Sequence, residues 1–316
     1  MLNTMRPTLI LKAEVSALEN TRAVRRSSSG LLLVDKPAGV SSHDVVARAR
    51  RAANTKGVGH AGTLDPFATG LLVVAVGPAT RLLPYLDSEP KVYQATFRFG
   101  FETDTEDSTG SEIGTAPLPD WTTLPSAIAK LTGSISQIPP AYSAKHVDGE
   151  RAYKKARRGE EVSLAPVIIT VHGWEVRAQH DDALDVVITC AGGTYVRSLA
   201  RDLGRLMNSA AHCHSLRRVQ SGKGSVAMAV SFASLERDAI SDGTVELTSP
   251  LSALQEMTRV AINSDDEVHI RHGRSIAAAH DGSRAVLVDQ FENIVSIANR
   301  TDDNRWQPRV VLPSSS

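Results

Sequence analysis

One carboxylate, Asp65, stands in the run Gly59-His60-Ala61-Gly62-Thr63-Leu64-Asp65-Pro66-Phe67-Ala68-Thr69-Gly70, among glycines and threonines. Such a loop exposes backbone N–H groups and tolerates close approach by a ligand, so its carboxylate can act as nucleophile or base. Asp65 can equally cap the turn before Pro66, and the local residues do not separate the two readings. Gly57-Val58-Gly59-His60-Ala61-Gly62 also spells GxGxxG. A dinucleotide loop needs a strand before that motif and a helix opening at its end. Here the polar, helical residues 50–56 precede it and Pro66 follows too soon. In Gly222-Lys223-Gly224-Ser225 the hydroxyl does not follow the lysine, and His212-Cys213-His214 lacks a second ligand pair, so neither a phosphate loop nor a metal site is expected.

The elements that must position Asp65 are legible as patterns. Residues 31–34 form an apolar run that ends in Asp35-Lys36-Pro37-Ala38-Gly39, a strand into a turn. Ser41 and Ser42 are candidate N-caps for a helix over 44–53, with Val45, Val46 and Ala49 at helical spacing. The continuous apolar run 71–76 predicts a strand buried on both faces. Residues 92–99 alternate, with Tyr93, Ala95, Phe97 and Phe99 on one side, which predicts a half-buried strand. Strands are also expected over 167–176 and 184–190. Gly192-Gly193 then turns the chain into a helix over 194–207, where Tyr195, Leu199, Leu203 and Leu206 form an apolar stripe. Arg197, Arg201 and Arg205 recur every four residues beside that stripe. Beyond about 241, strand-like runs at 285–289, 293–298 and 309–312 suggest a small β-rich C-terminal domain.

A chain of 316 residues, 41% hydrophobic, can bury a full core and suggests two domains. Its net charge of +0 conceals segregation. Residues 102–120 carry six acidic side chains and no Lys or Arg. Lys145, Arg151, Lys154, Lys155, Arg157 and Arg158 form one basic group, inside an excursion over 139–163 that opens with Pro-Pro. Arg197, Arg201, Arg205, Arg217, Arg218 and Lys223 form a second. Either group could neutralise phosphates or be a solvated face. Two cysteines imply no disulfide framework and fit a reducing cytoplasm. No apolar run approaches the roughly 18 residues of a membrane span. Residues 1–29 are expected to be a disordered extension.

Taken as a set, these segments resemble the bacterial tRNA pseudouridine-55 synthases, the TruB-type family of pseudouridine synthases. The resemblance is carried by Gly30-Leu31-Leu32-Leu33-Val34-Asp35-Lys36-Pro37, the Asp65 loop, Lys91-Val92-Tyr93, and Phe99-Gly100 with Thr103-Asp104-Thr105. It continues through Pro139-Pro140-Ala141-Tyr142-Ser143-Ala144, Gly193-Thr194-Tyr195-Val196-Arg197 and Leu216-Arg217-Arg218, in the family's order. It implies an α+β fold: a mixed, largely antiparallel sheet with flanking helices and a thumb-like insertion at about 139–163. The implied domains are a catalytic one over 30–240 and a PUA-like or related RNA-binding one over 241–316.

The implied activity is isomerisation of uridine to pseudouridine at position 55 in the T-loop of tRNA. It would act on a flipped-out nucleoside, without metal or organic cofactor, as a cytoplasmic monomer. Asp65 aligns with the nucleophile, attacking C6 of the base or C1′ of the ribose. Arg197 aligns with its pairing arginine, expected to lower the carboxyl pKa. Tyr93 would stack on the base and take the C5 proton. His60 would fill the gap left in the RNA loop, and Tyr195 and Leu216 would line the uracil pocket. Lys154, Lys155, Arg157 and Arg158 would touch the RNA backbone. The competing readings are a non-catalytic RNA-binding or RNA-folding protein on the same scaffold, and a synthase acting on another RNA. Ala144-Lys145-His146 places the lysine one position earlier than the family does, and Phe67 stands where leucine is commoner.

Overall fold

The computed structural model describes residues 29–143 and 164–314, with 146–147, 150–151, 155, 158 and 160 between them. The expected N-terminal extension, apart from Ser29, lies outside the described residues, as do Lys145, Lys154 and Arg157.

The chain runs β1 (Gly30–Lys36), α1 (Ser42–Ala52), β2 (Val58–Ala61), β3 (Thr69–Val76), β4 (Lys91–Phe99), β5 (Phe101–Thr103) and β6 (Glu112–Thr115). Next come α2 (Leu124–Lys130), β7 (Gly133–Gln137), the hairpin β8 (His146–Val147) and β9 (Glu150–Arg151), and β10 (Val167–Gln179). β11 (Ala183–Cys190), α3 (Val196–Leu206), β12 (Ala211–Ser221), β13 (Gly224–Ser225) and β14 (Val230–Ser231) follow. The last part holds β15 (Thr258–Ala261), α4 (Ser264–Arg271), β16 (Ile276–Ala277), β17 (Arg284–Val288), β18 (Ile294–Arg300) and β19 (Arg305–Val311).

Ten strands make the large sheet, in the order β14-β1-β3-β12-β4-β11-β10-β7, with β2 on β3 and β13 on β12. Only β1–β14 and β3–β12 are parallel, so the sheet is mixed and largely antiparallel, as expected. α1 begins where Ser41 and Asp44 form a reciprocal capping box, and Ser42 lies already in its first turn. Val45, Val46 and Ala49 of α1 cover Leu72, Val74 and Val76 of β3 on one face. On the other part of the sheet, Tyr93, Ala95, Phe97 and Phe99 of β4 pack with Leu199 and Leu203 of α3. Both period-2 and helical patterns therefore point where their spacing predicts, except that Leu206 at the end of α3 is exposed.

The second sheet has five strands, β15-β17-β18-β19-β16, packed around Ile270, Leu287 and Trp306. Its three expected strands are present, but the sequence reading overlooked α4, which Asn263 caps by accepting from Asp266 N. Residues before this sheet belong to the first core: Val245 packs with α1, and Leu31 and Thr248 exchange backbone bonds of 2.8 Å.

One irregularity positions the site. The start of β3 pairs with β12, Thr69 with Arg217 and Gly70 with Arg218, while its last four residues pair with β2. The edge of β3 is thus shared, and the chain 62–68 leaves the sheet at the fork. Gly70 makes the approach of β12 feasible, for its φ is +99° and a Cβ there would lie 2.2 Å from the Arg218 carbonyl oxygen.

Candidate active site

Three side chains hold the 62–68 loop. Ser42 Oγ donates to the Leu64 carbonyl at 2.9 Å and accepts from Leu64 N at 2.8 Å. Lys36 Nζ, on a fully buried side chain, donates to the carbonyls of Val40 (2.7 Å), Pro37 (3.0 Å) and Pro66 (3.3 Å). Burial lowers the Lys36 pKa to about 8, against the pull of the nearby Asp65 carboxylate. Arg218, only 1% exposed, reaches across the fork, donating from Nε to Leu71 O at 2.8 Å and from Nη2 to Gly62 O at 2.9 Å. The residues on either side of Asp65 are therefore pinned, and its side chain is left to face α3.

There it meets Arg197, whose Nε lies 2.9 Å from Asp65 Oδ2; the arginine side chain is 3% exposed and the aspartate 35%. The Nε–H is not aligned on the oxygen, so the contact is ionic rather than a directed hydrogen bond. The rest of the guanidinium is fixed by carbonyls, Nη1 to Thr105 at 2.7 Å and Nη2 to Tyr142 at 2.9 Å. Asp107, buried and itself bonded by Thr105 and Thr109, stands 3.5 Å from Nη1.

Burial pushes the Asp65 pKa up, Arg197 pulls it down, and Asp107 adds to the push; the net direction is up. This corrects the expectation that the arginine sets a low value. About a third of the aspartate side chain is exposed, but the rest is walled by protein and loses more hydration than one arginine offsets.

Tyr93 is buried on the α3 side of β4, beside Arg218 in the register with β12. Burial raises its pKa, so the phenol is neutral at physiological pH. Leu216 pairs with Ala95 and joins the same apolar cluster as Leu64 and Tyr93. Tyr195, the N-cap residue of α3, feels the charges of both Arg197 and Asp65. Its backbone is clamped by the buried Gln137 side chain, which accepts from Tyr195 N at 2.9 Å and donates to Tyr195 O at 3.1 Å. The structure thus brings Asp65, Arg197, Tyr93, Tyr195 and Leu216 together. His60 stands apart on β2, half-buried; burial and Arg218 lower its pKa, and its Nδ1 has no hydrogen-bond partner among the described residues.

Four of the six cations in the second basic group are paired with carboxylates. Arg197 is engaged as described. Arg201 pairs with Glu106 and Asp202, Arg205 with Glu102, and Arg217 with Asp35. α3 lies against the acidic stretch, so the two sequence clusters neutralise one another inside the fold. In the excursion, Arg158 is exposed and pairs with Glu160 at 2.5 Å, and Lys155 is half-buried. The sequence reading missed Ser42, Lys36 and Gln137 as clamps, and took Arg218 for a surface cation. Lys36 and Arg218 lie within recognised motifs, whereas nothing marks Gln137. Among the described residues, no group of three or more His, Cys, Asp and Glu could hold a metal ion. None of their helices is long and apolar enough to cross a membrane.

Residues 50–196 match the model of the TruB family pseudouridylate synthase N-terminal domain. The tRNA pseudouridine synthase B of Thermobifida fusca (strain YX) is 40% identical over 299 residues, covering 91% of this chain and 100% of that protein. The chain belongs to the TruB family. Another similar family member, tRNA pseudouridine synthase B of Arthrobacter sp. (strain FB24), is 42% identical over 258 residues, 79% of this chain and 83% of its own. The TruB-family fold is also similar to a chain in the solved structure of an H/ACA RNP bound to a substrate RNA containing 2′-deoxyuridine. That match has a TM-score of 0.68 and 19% identity over 90% of this chain and 85% of that one, a likeness of fold alone.

Proposed function

We propose that this protein isomerises uridine to pseudouridine in tRNA, at position 55 of the T-loop, with Asp65 as the nucleophile. The observation that carries the reading is the Asp65–Arg197 pair: a partly open carboxylate, 2.9 Å from a buried arginine, on a loop pinned from three sides. The names borne by its TruB-family relatives support the substrate class. Arg197 orients the carboxylate, and the desolvation that raises its pKa makes it a better electron donor once ionised. Attack on the flipped-out nucleoside, at C6 or C1′, precedes breakage of the C1′–N1 bond, rotation of the uracil and closure of the C1′–C5 bond. Tyr93 and Leu216 offer the base an apolar seat, and Tyr195 closes it from the start of α3. Because burial keeps the Tyr93 phenol neutral, its part in loss of the C5 proton is that of a relay rather than a standing base.

His60, at the rim on β2, fills the space the uridine leaves in the RNA loop. Lys154, Lys155, Arg157 and Arg158 contact the RNA backbone from the insertion, and the sheet over 258–311 serves as an RNA-binding module. The catalytic domain begins at 30 and, with Val245 and Thr248 packed on its core, extends past the expected boundary at 240, while the second domain is built around the sheet over 258–311. The protein works as a cytoplasmic monomer, a reading supported by its substrate and by two buried, unpaired cysteines.

The test is tritium release from tRNA labelled at uridine C5. The wild type is expected to release tritium, and Asp65→Asn to release none while still binding the RNA. Undiminished release by Asp65→Asn would overturn the nucleophile. A wild type inert on every uridine-containing RNA would overturn the activity.

A further inference from the structure

Lys91 opens β4 two residues before Tyr93, so the two side chains leave the same face of the strand about 7 Å apart. It is half-buried, and among the described residues its ammonium makes no hydrogen bond or ion pair, in contrast to Lys36. Glu89, the carboxylate beside it, is held instead by the Gly192 backbone N–H at 2.8 Å. Exposed Gly62 leaves the space on one side of the ammonium unfilled. A Cβ on Gly62 would lie 3.4 Å from Lys91 Nζ and 3.5 Å from Arg218 Nη1, whereas one on Gly192, on the other side, would meet Glu89 Oε1 at 2.7 Å.

Among the described residues, Arg218 also lacks a carboxylate partner. Its Nε and Nη2 are taken by carbonyls, while Nη1 has only a 3.5 Å contact with Thr63 O. The other carboxylate on this loop, Asp65, is paired with Arg197. Two cations therefore look onto one empty space beside exposed Gly62, and each raises the cost of burying the other. An anion entering that space would relieve both.

We propose that Lys91 and Arg218 form an anion site for an RNA backbone phosphate flanking the nucleotide that rests on Tyr93. The inference deepens the proposed function and depends on it. Lys91 supplies the free ammonium and Arg218 the fixed guanidinium edge; the separation of Lys91 from Tyr93 is on the scale of one nucleotide. Glu89, exposed on the Gly192 side, has Oε1 taken by the Gly192 N–H, and the phosphate approaches from the Gly62 side.

The full-length Asp65→Asn protein, with and without Lys91→Met, is titrated with a T stem-loop RNA. It is also titrated with the same RNA carrying one neutral methylphosphonate at either phosphate flanking the target uridine. Lys91→Met is expected to weaken binding of the unmodified RNA about 10- to 100-fold, and to lower the salt dependence by about one phosphate contact. It should cost nothing further on the RNA whose methylphosphonate removes the contacted charge. Lys91→Arg is expected to recover most of the affinity, which separates a lost charge from a damaged fold. Unchanged binding by Lys91→Met, or an equal loss on every RNA, overturns the site. Competition by millimolar inorganic phosphate that is as strong as competition by the RNA would overturn the RNA source and leave a free-anion site. A wild type that turns over RNA while Lys91→Met binds normally refutes this inference alone, whereas an inert wild type refutes the function first.

Discussion

Arg197 and Arg218 flank the same loop and are both nearly inaccessible, yet different groups balance them. Arg197 stands among carboxylates, Asp65 at 2.9 Å and Asp107 at 3.5 Å. Arg218 has only carbonyl oxygens, at Leu71, Gly62 and, more distantly, Thr63. A buried guanidinium that meets carboxylates governs the charge and aim of a reactive group. One that meets carbonyls governs the path of the backbone, and it leaves a surplus of positive charge behind. Two arginines within recognised motifs thus take opposite parts, which residue type alone does not reveal.

The comparison can be broken most sharply at Arg218. Arg218→Ala strands the buried carbonyl of Leu71, unties that of Gly62 and opens a cavity at the fork, with an expected stability loss of about 3–5 kcal/mol. Urea denaturation measures it, and a loss below about 1 kcal/mol would show that the staple is dispensable. Arg197→Met should act on chemistry instead. Catalytic efficiency is expected to fall by two to three powers of ten, approximately the effect of losing a preorganised charge. The pH profile gives the sign. The Asp65 pKa already lies above the usual carboxylate value, and Arg197 is the largest pull downward. Without it that pKa rises further, less Asp65 is ionised at a given pH, and the acid limb of kcat/KM moves to higher pH. A limb that stays in place would mean that Arg197 serves the RNA rather than Asp65. The smallest effect belongs to Arg205, which is 59% exposed and makes a two-pronged pair with Glu102. Arg205→Gln should change stability by no more than about 1 kcal/mol and leave RNA affinity intact. A large loss of affinity would restore the second basic group as an RNA-binding face.

Much of this arrangement can be read from the residues in order. The alternation from Tyr93 to Phe99, the apolar run of β3 and the arginine spacing of α3 are local patterns, and each maps onto one face of one element. The set Asp65, Tyr93, Tyr195 and Arg197 was legible only as a joint resemblance, since each residue alone passes for a cap, a core side chain or a surface charge. What escaped was long-range pairing. Arg205 meets Glu102 across 103 positions and Gln137 meets Tyr195 across 58. No periodicity encodes such contacts, so segregated charge that reads as an RNA surface became an internal lattice of ion pairs. The direction of the Asp65 pKa escaped for the same reason. Desolvation depends on the whole enclosure, whereas the arginine is one visible partner.

The forked edge of β3 has a consequence in time. Arg218 reaches Leu71 across 147 positions and Gly62 across 156. A ribosome delivers the nucleophile early and the residue that fixes its loop much later, after β4, β11 and α3 have emerged. Until β12 inserts between β3 and β4, a nascent chain carries Asp65 on a loop held only by Lys36 and Ser42, without the Arg218 staple. The site matures near the end of synthesis, and truncated products of translation hold the reactive carboxylate without the means to aim it.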